Sequence, residues 1–289
     1  MNYFDLINGN HSREDKASRH RYDGWSLEER DPEVIKAWMP ILEWFYHYYF
    51  RVQTDGWQNI PAKGKVLIVG SHNGGFASPD TSMFMYDWFR RFGYERPAYG
   101  LMHPLGWKSP LSAKPAAQVG AVIAHPKMAI AAFRRDAAVL VYPGGAEDMF
   151  RLHSQRDKIH FAGRKGFIKL ALREEVPIVP VISHGAHDTL IILADLYEQV
   201  RQFREWGFPW SLDMGTGVFP VYLGLPWGLA IGPVMNFPLP IQIHTRVCSP
   251  IIFEKYGRAA ASDRQYVDVC YEQVRTQMQQ ELERLFQEV

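Results

Sequence analysis

The segment Ser71-His72-Asn73-Gly74-Gly75-Phe76-Ala77-Ser78-Pro79-Asp80 follows directly on the apolar run Val66-Leu67-Ile68-Val69. An imidazole at a strand end, with a carboxylate one short loop later, supplies a general base and an acid to orient it. The adjoining glycines let backbone approach a substrate closely. Asn73, Gly74 and Gly75 therefore join His72 and Asp80 as candidate site residues. A structural reading competes with this one. Ser78-Pro79-Asp80 has the form of a helix start, where Asp80 would serve the helix dipole alone.

A second loop has the same character. Val139-Leu140-Val141-Tyr142 runs into Pro143-Gly144-Gly145-Ala146-Glu147. A glycine pair at a strand end can present amides to an anion or a developing oxyanion. A tight structural turn is the alternative for this loop. Ser183-His184-Gly185-Ala186-His187-Asp188 offers two histidines and a carboxylate, but the further ligands a metal needs are not evident, and no metal site is expected. The G-x-S-x-G elbow, the phosphate-binding G-x-x-x-x-G-K-[ST] loop, the G-x-G-x-x-G fingerprint and H-E-x-x-H are all absent.

Positioning these loops calls for short buried strands that alternate with helices. The patterns predict strands at Val66–Val69, Ala98–Leu101, Ala121–Ala124, Ala138–Tyr142 and Val176–Ile182. They predict helices at Pro79–Phe92, Lys127–Arg135 and Gly166–Glu174. The expected fold class is α/β, with a mixed, largely parallel sheet flanked by helices. In such sheets ligands gather at the carboxyl edge, where His72 would sit. A long final helix is expected over Ser262–Gln287, with Tyr266, Val269, Val274, Met278, Leu282 and Leu285 facing inward.

Composition narrows the class of function. Lys plus Arg number 32 and Asp plus Glu 31, without the basic excess of a nucleic-acid binder. The two cysteines, Cys248 and Cys270, have no zinc spacing and point to a reducing compartment. Aromatic residues make up 14 % of the chain, including nine tryptophans. Tryptophan and tyrosine suit places that are dry at one end and wet at the other. Two segments concentrate this chemistry. Asp31-Pro32 caps an amphipathic aromatic helix that runs to about Val52, interrupted by Pro40, and reads as a membrane-interface helix or a core helix. Between Asp213 and Arg246 there is no Asp, Glu, Lys or Arg, while prolines and glycines exclude a continuous helix. That stretch reads as an apolar Pro/Gly-rich loop region over a tunnel, in a membrane, or simply buried. Residues 1–30 read as a polar lead-in and 31–289 as a single domain.

Four blocks in order resemble the glycerolipid and lysophospholipid acyltransferase family. They are Ser71-His72 with its downstream Asp, Gln118-Val119-Gly120-Ala121-Val122, Tyr142-Pro143-Gly144-Gly145-Ala146-Glu147, and Val176-Pro177-Ile178-Val179-Pro180-Val181. The resemblance implies a membrane-associated O-acyltransferase. A histidine base, here His72, would activate a lipid hydroxyl that attacks the thioester of acyl-CoA or an acyl carrier protein. Asp80 would orient the imidazole. Asn73, Gly74, Gly75, Pro143, Gly144, Gly145, Glu147, Arg164 and Lys165 would contact substrates. No cofactor is implied beyond the thioester donor, and the expected place is the cytoplasmic side of a membrane. Two departures stand out. Ala77 occupies the position where the family's H-x(4)-D block has its acid, and Asp80 lies three residues later. Glu147 stands where phosphate-binding members have arginine, which brings the third block nearer the branch with neutral acceptors such as diacylglycerol. A non-catalytic lipid-binding protein and an acyl thioesterase are the competing readings.

Overall fold

The computed structural model describes residues 21–206 and 217–289. The chain order of strands is β1 (Gln53–Asp55), β2 (Val66–Gly70), β3 (Ala98–Met102), β4 (Ala121–Ile123), β5 (Ala138–Val141), β6 (Ile178–His184), β7 (Ile191–Asp195), β8 (Pro220–Gly224), β9 (Gly228–Ile231) and β10 (His244–Val247). The helices are α1 (Pro32–Trp44), α2 (Pro79–Phe92), α3 (Pro110–Gln118), α4 (Pro126–Phe133), α5 (Gly145–Met149), α6 (Gly166–Glu174), α7 (Tyr197–Glu205), α8 (Arg258–Ser262) and α9 (Arg264–Glu288).

A seven-stranded sheet in the order β1-β10-β6-β2-β5-β3-β4 forms the body. Strands β6, β2, β5, β3 and β4 are parallel, whereas β10 runs antiparallel to β6. The mixed, largely parallel α/β fold expected from the alternation is therefore the one adopted. Strand β2 is central and buried throughout, as its unbroken Val-Leu-Ile-Val run requires. On one face, α4, α6 and α9 bury Met128, Phe133, Ile168, Leu172, Val274 and Met278 against the sheet. On the other, α1 and α2 bury Ile35, Phe84 and Trp88.

Several expectations need correction. In α9 the inward stripe is Val267, Cys270, Tyr271, Val274, Met278, Leu282 and Leu285, while Val269 is exposed. The helix begins at Arg264, and its 3.6-residue period carries Val267 inward and Val269 outward. Residues 21–30, expected as part of a polar lead-in, pack on the sheet domain: Leu27 and Glu29 are buried, and the Leu27 carbonyl accepts from the Tyr99 hydroxyl at 3.2 Å. The expectation for residues 1–20 lies outside the described residues.

The charge-free segment also holds more order than a loop. Strands β8 and β9 pair as a hairpin and continue antiparallel onto β7, a second sheet of three strands. Alternation along this sheet turns Ile192 and Tyr222 inward and leaves Leu193, Leu223, Leu229 and Ile231 exposed. The prolines mark its ends and turns, where no ladder amide is required. Residues 213–216 of the segment lie outside the described residues.

Helix α1 starts at the expected Asp31 cap, whose carboxylate accepts from the Glu33 and Val34 amides. It continues past Pro40 into a π-turn at Phe45–Tyr49. Ile35, Tyr46 and Phe50 face the core, and Trp38, Ile41, Trp44 and Tyr48 form an outward stripe. Phe237, just beyond the hairpin, packs its ring 5.6 Å from that of Tyr49, so the stripe and the hairpin adjoin. No helix among the described residues is long and apolar enough to cross a membrane.

Candidate active site

The register of the sheet brings the two glycine loops together. Val69 pairs with Val141 across the parallel β2 and β5, so Gly70 and Tyr142 leave the same edge side by side. Gly70 has no side chain to obstruct its neighbour: a Cβ there would stand 2.3 Å from the Tyr142 ring. The ring therefore crosses over Gly70 and stacks on the His72 imidazole, with centroids 4.3 Å apart and planes 16° from parallel. Burial pushes the Tyr142 phenol well above its ordinary range, so it stays neutral.

Asp80 reaches His72 despite its unusual spacing. Its Oδ2 stands 3.3 Å from the imidazole Nδ1. The chain achieves this with left-handed residues at Gly74, Gly75 and Ser78 around a 3-10 turn at Gly75–Ala77. A 3-10 helix completes a turn in three residues. The three residues by which the spacing exceeds the family pattern are thus taken up as one turn, and α2 still begins next to the imidazole. Asp80 is buried, and its carboxylate also accepts from the Asn73 amide at 2.7 Å and the Thr81 amide at 2.7 Å. Asp80 thus lies in the first turn of α2 and also within 3.3 Å of the imidazole, the two placements that its rival readings call for.

The neighbouring candidates have structural duties. Asn73 is fully buried, and its side chain bonds the Ser71 carbonyl at 2.8 Å and the Arg151 guanidinium at 2.6 Å. That leaves no surface for a substrate, a correction to its expected role. Gly74 and Gly75 are buried too. A Cβ on the first would meet Pro79 at 2.5 Å and on the second Leu190 at 2.5 Å. Their positive φ angles and these approaches require glycine for the turn itself.

In the second loop, the Gly145 amide donates to the Tyr142 carbonyl at 3.2 Å. It is thus spent within the turn and is not aimed outward, which corrects the expected oxyanion role for that residue. Gly144 allows close passage of the chain, since a Cβ there would lie 2.0 Å from the His160 carbonyl. Arg164 donates to the carbonyl of the buried Pro143 at 3.3 Å and pairs with Glu147, so Pro143, Glu147 and Arg164 are tied to one another. Lys165 pairs with Asp268 of α9 at 2.8 Å, which anchors α6 to α9. An open cavity of about 300 Å³ lies between Glu147, Phe150, His160 and Tyr197; His72 is not in its lining.

Two charged residues that the motif reading passed over stand closest to His72. Asp148 and Arg151, on and just after α5, form a buried ion pair at 2.9 Å. Asp148 Oδ2 accepts from the His72 amide at 2.5 Å, and Arg151 Nη1 donates to the His72 carbonyl at 2.9 Å. Burial pushes the Asp148 carboxyl up, and the Arg151 charge and the His72 amide oppose that shift. The signal available in the sequence was an i,i+3 Asp-Arg pair directly after a strand-end glycine pair. Asn236, also buried, brings an amide without a hydrogen-bond partner to the Gly75 turn.

The Ser183–Asp188 histidines are dispersed. His184 packs edge-on against Phe286. His187 bonds the Arg151 carbonyl at 2.9 Å, and burial drives its pKa well down. Asp188 pairs instead with His153 at 2.7 Å.

Comparison with known proteins places this geometry in context. The model of the family "Diacylglycerol acyltransferase" matches residues 127–284, more than half of the 289-residue chain. That match includes the Tyr142 loop and β6 but not the His72 loop. An uncharacterised protein of Mycobacterium tuberculosis is 28 % identical over 277 residues, covering 92 % of this chain and 72 % of that one. The 2-acylglycerol O-acyltransferase 1 of Mus musculus is 27 % identical over 117 residues, 36 % of this chain and 33 % of that one. The crystal structure of the 1-acyl-sn-glycerophosphate acyltransferase PlsC from Thermotoga maritima aligns with a TM-score of 0.48 at 15 % identity, covering 87 % of this chain and 78 % of that one.

Proposed function

Because the chain belongs to the diacylglycerol acyltransferase family and is an acyltransferase of the glycerolipid type, we propose that it transfers a fatty acyl group from a thioester, acyl-CoA or an acyl carrier protein, to a lipid hydroxyl with His72 as general base. The observation that carries this reading is the His72–Asp80 pair at the carboxyl edge of the central strand. A carboxylate facing Nδ1 selects the tautomer protonated there and leaves the Nε2 lone pair free. Nε2 then takes the acceptor's hydroxyl proton as its oxygen bonds to the thioester carbonyl carbon. When the tetrahedral adduct collapses, the C–S bond breaks and the imidazolium returns that proton to the departing thiolate. The Tyr142 face, 4.3 Å away, favours the transient imidazolium. The altered Asp80 spacing would favour a non-catalytic lipid carrier; the carboxylate beside the imidazole favours catalysis instead.

Incubating the protein with labelled acyl-CoA, labelled acyl carrier protein and a panel of lipid alcohols tests the reaction. Labelled acylglycerol is the expected product, with neutral acceptors preferred because Glu147 stands where an arginine would meet phosphate. Free fatty acid as the sole product would replace this reading with a thioesterase.

The acceptor must leave a bilayer, and the outward stripe of α1 together with the β7-β8-β9 sheet supports peripheral attachment to one. Trp227, at the hairpin tip, is 58 % exposed, and Leu229 60 %. Exposed apolar patches of this extent mark interaction surfaces, and tryptophan and tyrosine at their margins suit a lipid interface. The double variant Trp227→Ser/Leu229→Ser is expected to lose about 2 kcal/mol of partitioning, roughly thirtyfold, if each side chain is half immersed. Co-sedimentation with phosphatidylcholine vesicles measures it. Unaltered sedimentation would exclude the hairpin from the bilayer contact.

A further inference from the structure

We infer that Asp148 and Arg151 are positioning residues for acyl transfer, a buried ion pair that fixes the His72 backbone and through it the imidazole; this rests on His72 being the base. A general base has to be held within a fraction of an ångström of the proton it removes. His72 lies beyond the end of β2, where the sheet ladder stops, so its amide and carbonyl need partners from elsewhere.

Both partners come from this pair. Asp148 accepts the His72 amide, and Arg151 donates to the His72 carbonyl. The guanidinium forks at that point. Its other terminal nitrogen donates to Asn73 Oδ1 at 2.6 Å, while the Asn73 amide is held by Asp80 at 2.7 Å. One planar group thus ties the residue that carries the imidazole to the residue whose amide fixes the orienting carboxylate. The pair is fixed in turn, because Arg151 also donates through Nε to the Gln155 carbonyl at 3.1 Å, and His187 donates to the Arg151 carbonyl. Neither charge is open to solvent, with side chains 0 % and 3 % exposed, so direct contact with substrate is not their task. Desolvated charges are costly and are kept where geometry demands them. Here they span the two loops whose relative placement decides whether Nε2 faces the reacting hydroxyl.

Arg151→Lys tests the inference with the counter-charge to Asp148 retained. A lysine ammonium is a point donor and cannot reproduce the planar fork. The expected result is a folded protein, by near-ultraviolet circular dichroism, whose kcat falls on the order of tenfold to a hundredfold. The KM values for acyl-CoA and lipid acceptor should be unchanged. The ¹⁵N resonances of the His72 ring, identified by their loss in His72→Ala, should move from the Nδ1-protonated pattern toward a mixture of tautomers. Turnover reduced only in proportion to the folded fraction, with His72 resonances unmoved, would overturn the inference and make the pair a brace for the fold. Resonances that shift while turnover stays at the parent level would uphold the positioning of the imidazole and overturn the base assignment instead. Should the lysine variant not fold, amide hydrogen exchange in the parent protein decides. The His72 amide is expected among the protected set, and exchange at the rate of an open loop would overturn the clamp.

Discussion

His72→Ala is expected to lower acyl transfer by about 10²–10⁴-fold, the usual contribution of a positioned general base. The fold should survive the change. Asp80 keeps the Asn73 and Thr81 amides as donors after the imidazole is gone. Asp148 and Arg151 hold residue 72 through its backbone, which alanine retains. The Tyr142 ring loses a stacking partner but keeps its seat over Gly70. A thermal midpoint close to the parent's, beside turnover lowered by that factor, is therefore the expected combination. Both are read on one preparation, with labelled acyl-CoA and diacylglycerol as substrates. Turnover within a few-fold of the parent would remove His72 from the chemistry.

The parts of this site that were legible in the sequence are those fixed by local rules. An apolar run that stops at Ser71-His72 and another that stops at Tyr142-Pro143 announce two strand ends, and neighbouring parallel strands must release their loops at one edge. The central strands and the helices that cover them followed from the same periodicity. What could not be read was set by register and by charge. Nothing in the local pattern says that Val69 lies opposite Val141, yet that register alone places Tyr142 over Gly70 and onto His72. Asp148 and Arg151 have the i,i+3 spacing of an ordinary surface pair. Their burial arises from loops distant in sequence. The substrate role expected of Asn73 failed for a similar reason: its side chain is taken up by the nearby Ser71 carbonyl and by Arg151, 78 residues along the chain. The β8–β9 hairpin was obscured by its own composition. Prolines and glycines at its turns suppressed the strand pattern, and apolar residues on both faces erased the alternation that marks a half-exposed strand.

Asp80→Asn should have the second largest effect, and it separates orientation from packing. In the parent, Oδ1 accepts from the Thr81 amide and Oδ2 from the Asn73 amide, with Oδ2 also facing the imidazole. Asparagine has a single acceptor oxygen. If that oxygen stays with Thr81, the new NH₂ group meets the Asn73 amide and the imidazole, donor against donor. If it turns toward Asn73, the NH₂ group meets the half-buried Thr81 amide, which is left with the Ser78 carbonyl at 3.0 Å alone. Either arrangement sets donor against donor where a hydrogen bond stood and costs about 1–3 kcal/mol, a fall in thermal midpoint that His72→Ala should not show. The chemical consequence is separate. Without a carboxylate facing Nδ1, the tautomer with the proton on Nε2 is no longer disfavoured, and an imidazole in that form has no lone pair to offer the acceptor hydroxyl. Turnover should fall by about 10²-fold or more, while binding of acyl-CoA, measured by calorimetry on the folded fraction, stays at the parent value. Parent-level turnover in a destabilised Asp80→Asn protein would assign Asp80 to the helix start alone. A rate loss without destabilisation would contradict the buried hydrogen bonds from which the argument starts. Only the joint loss fits a carboxylate that both closes the 3-10 turn and aims the base.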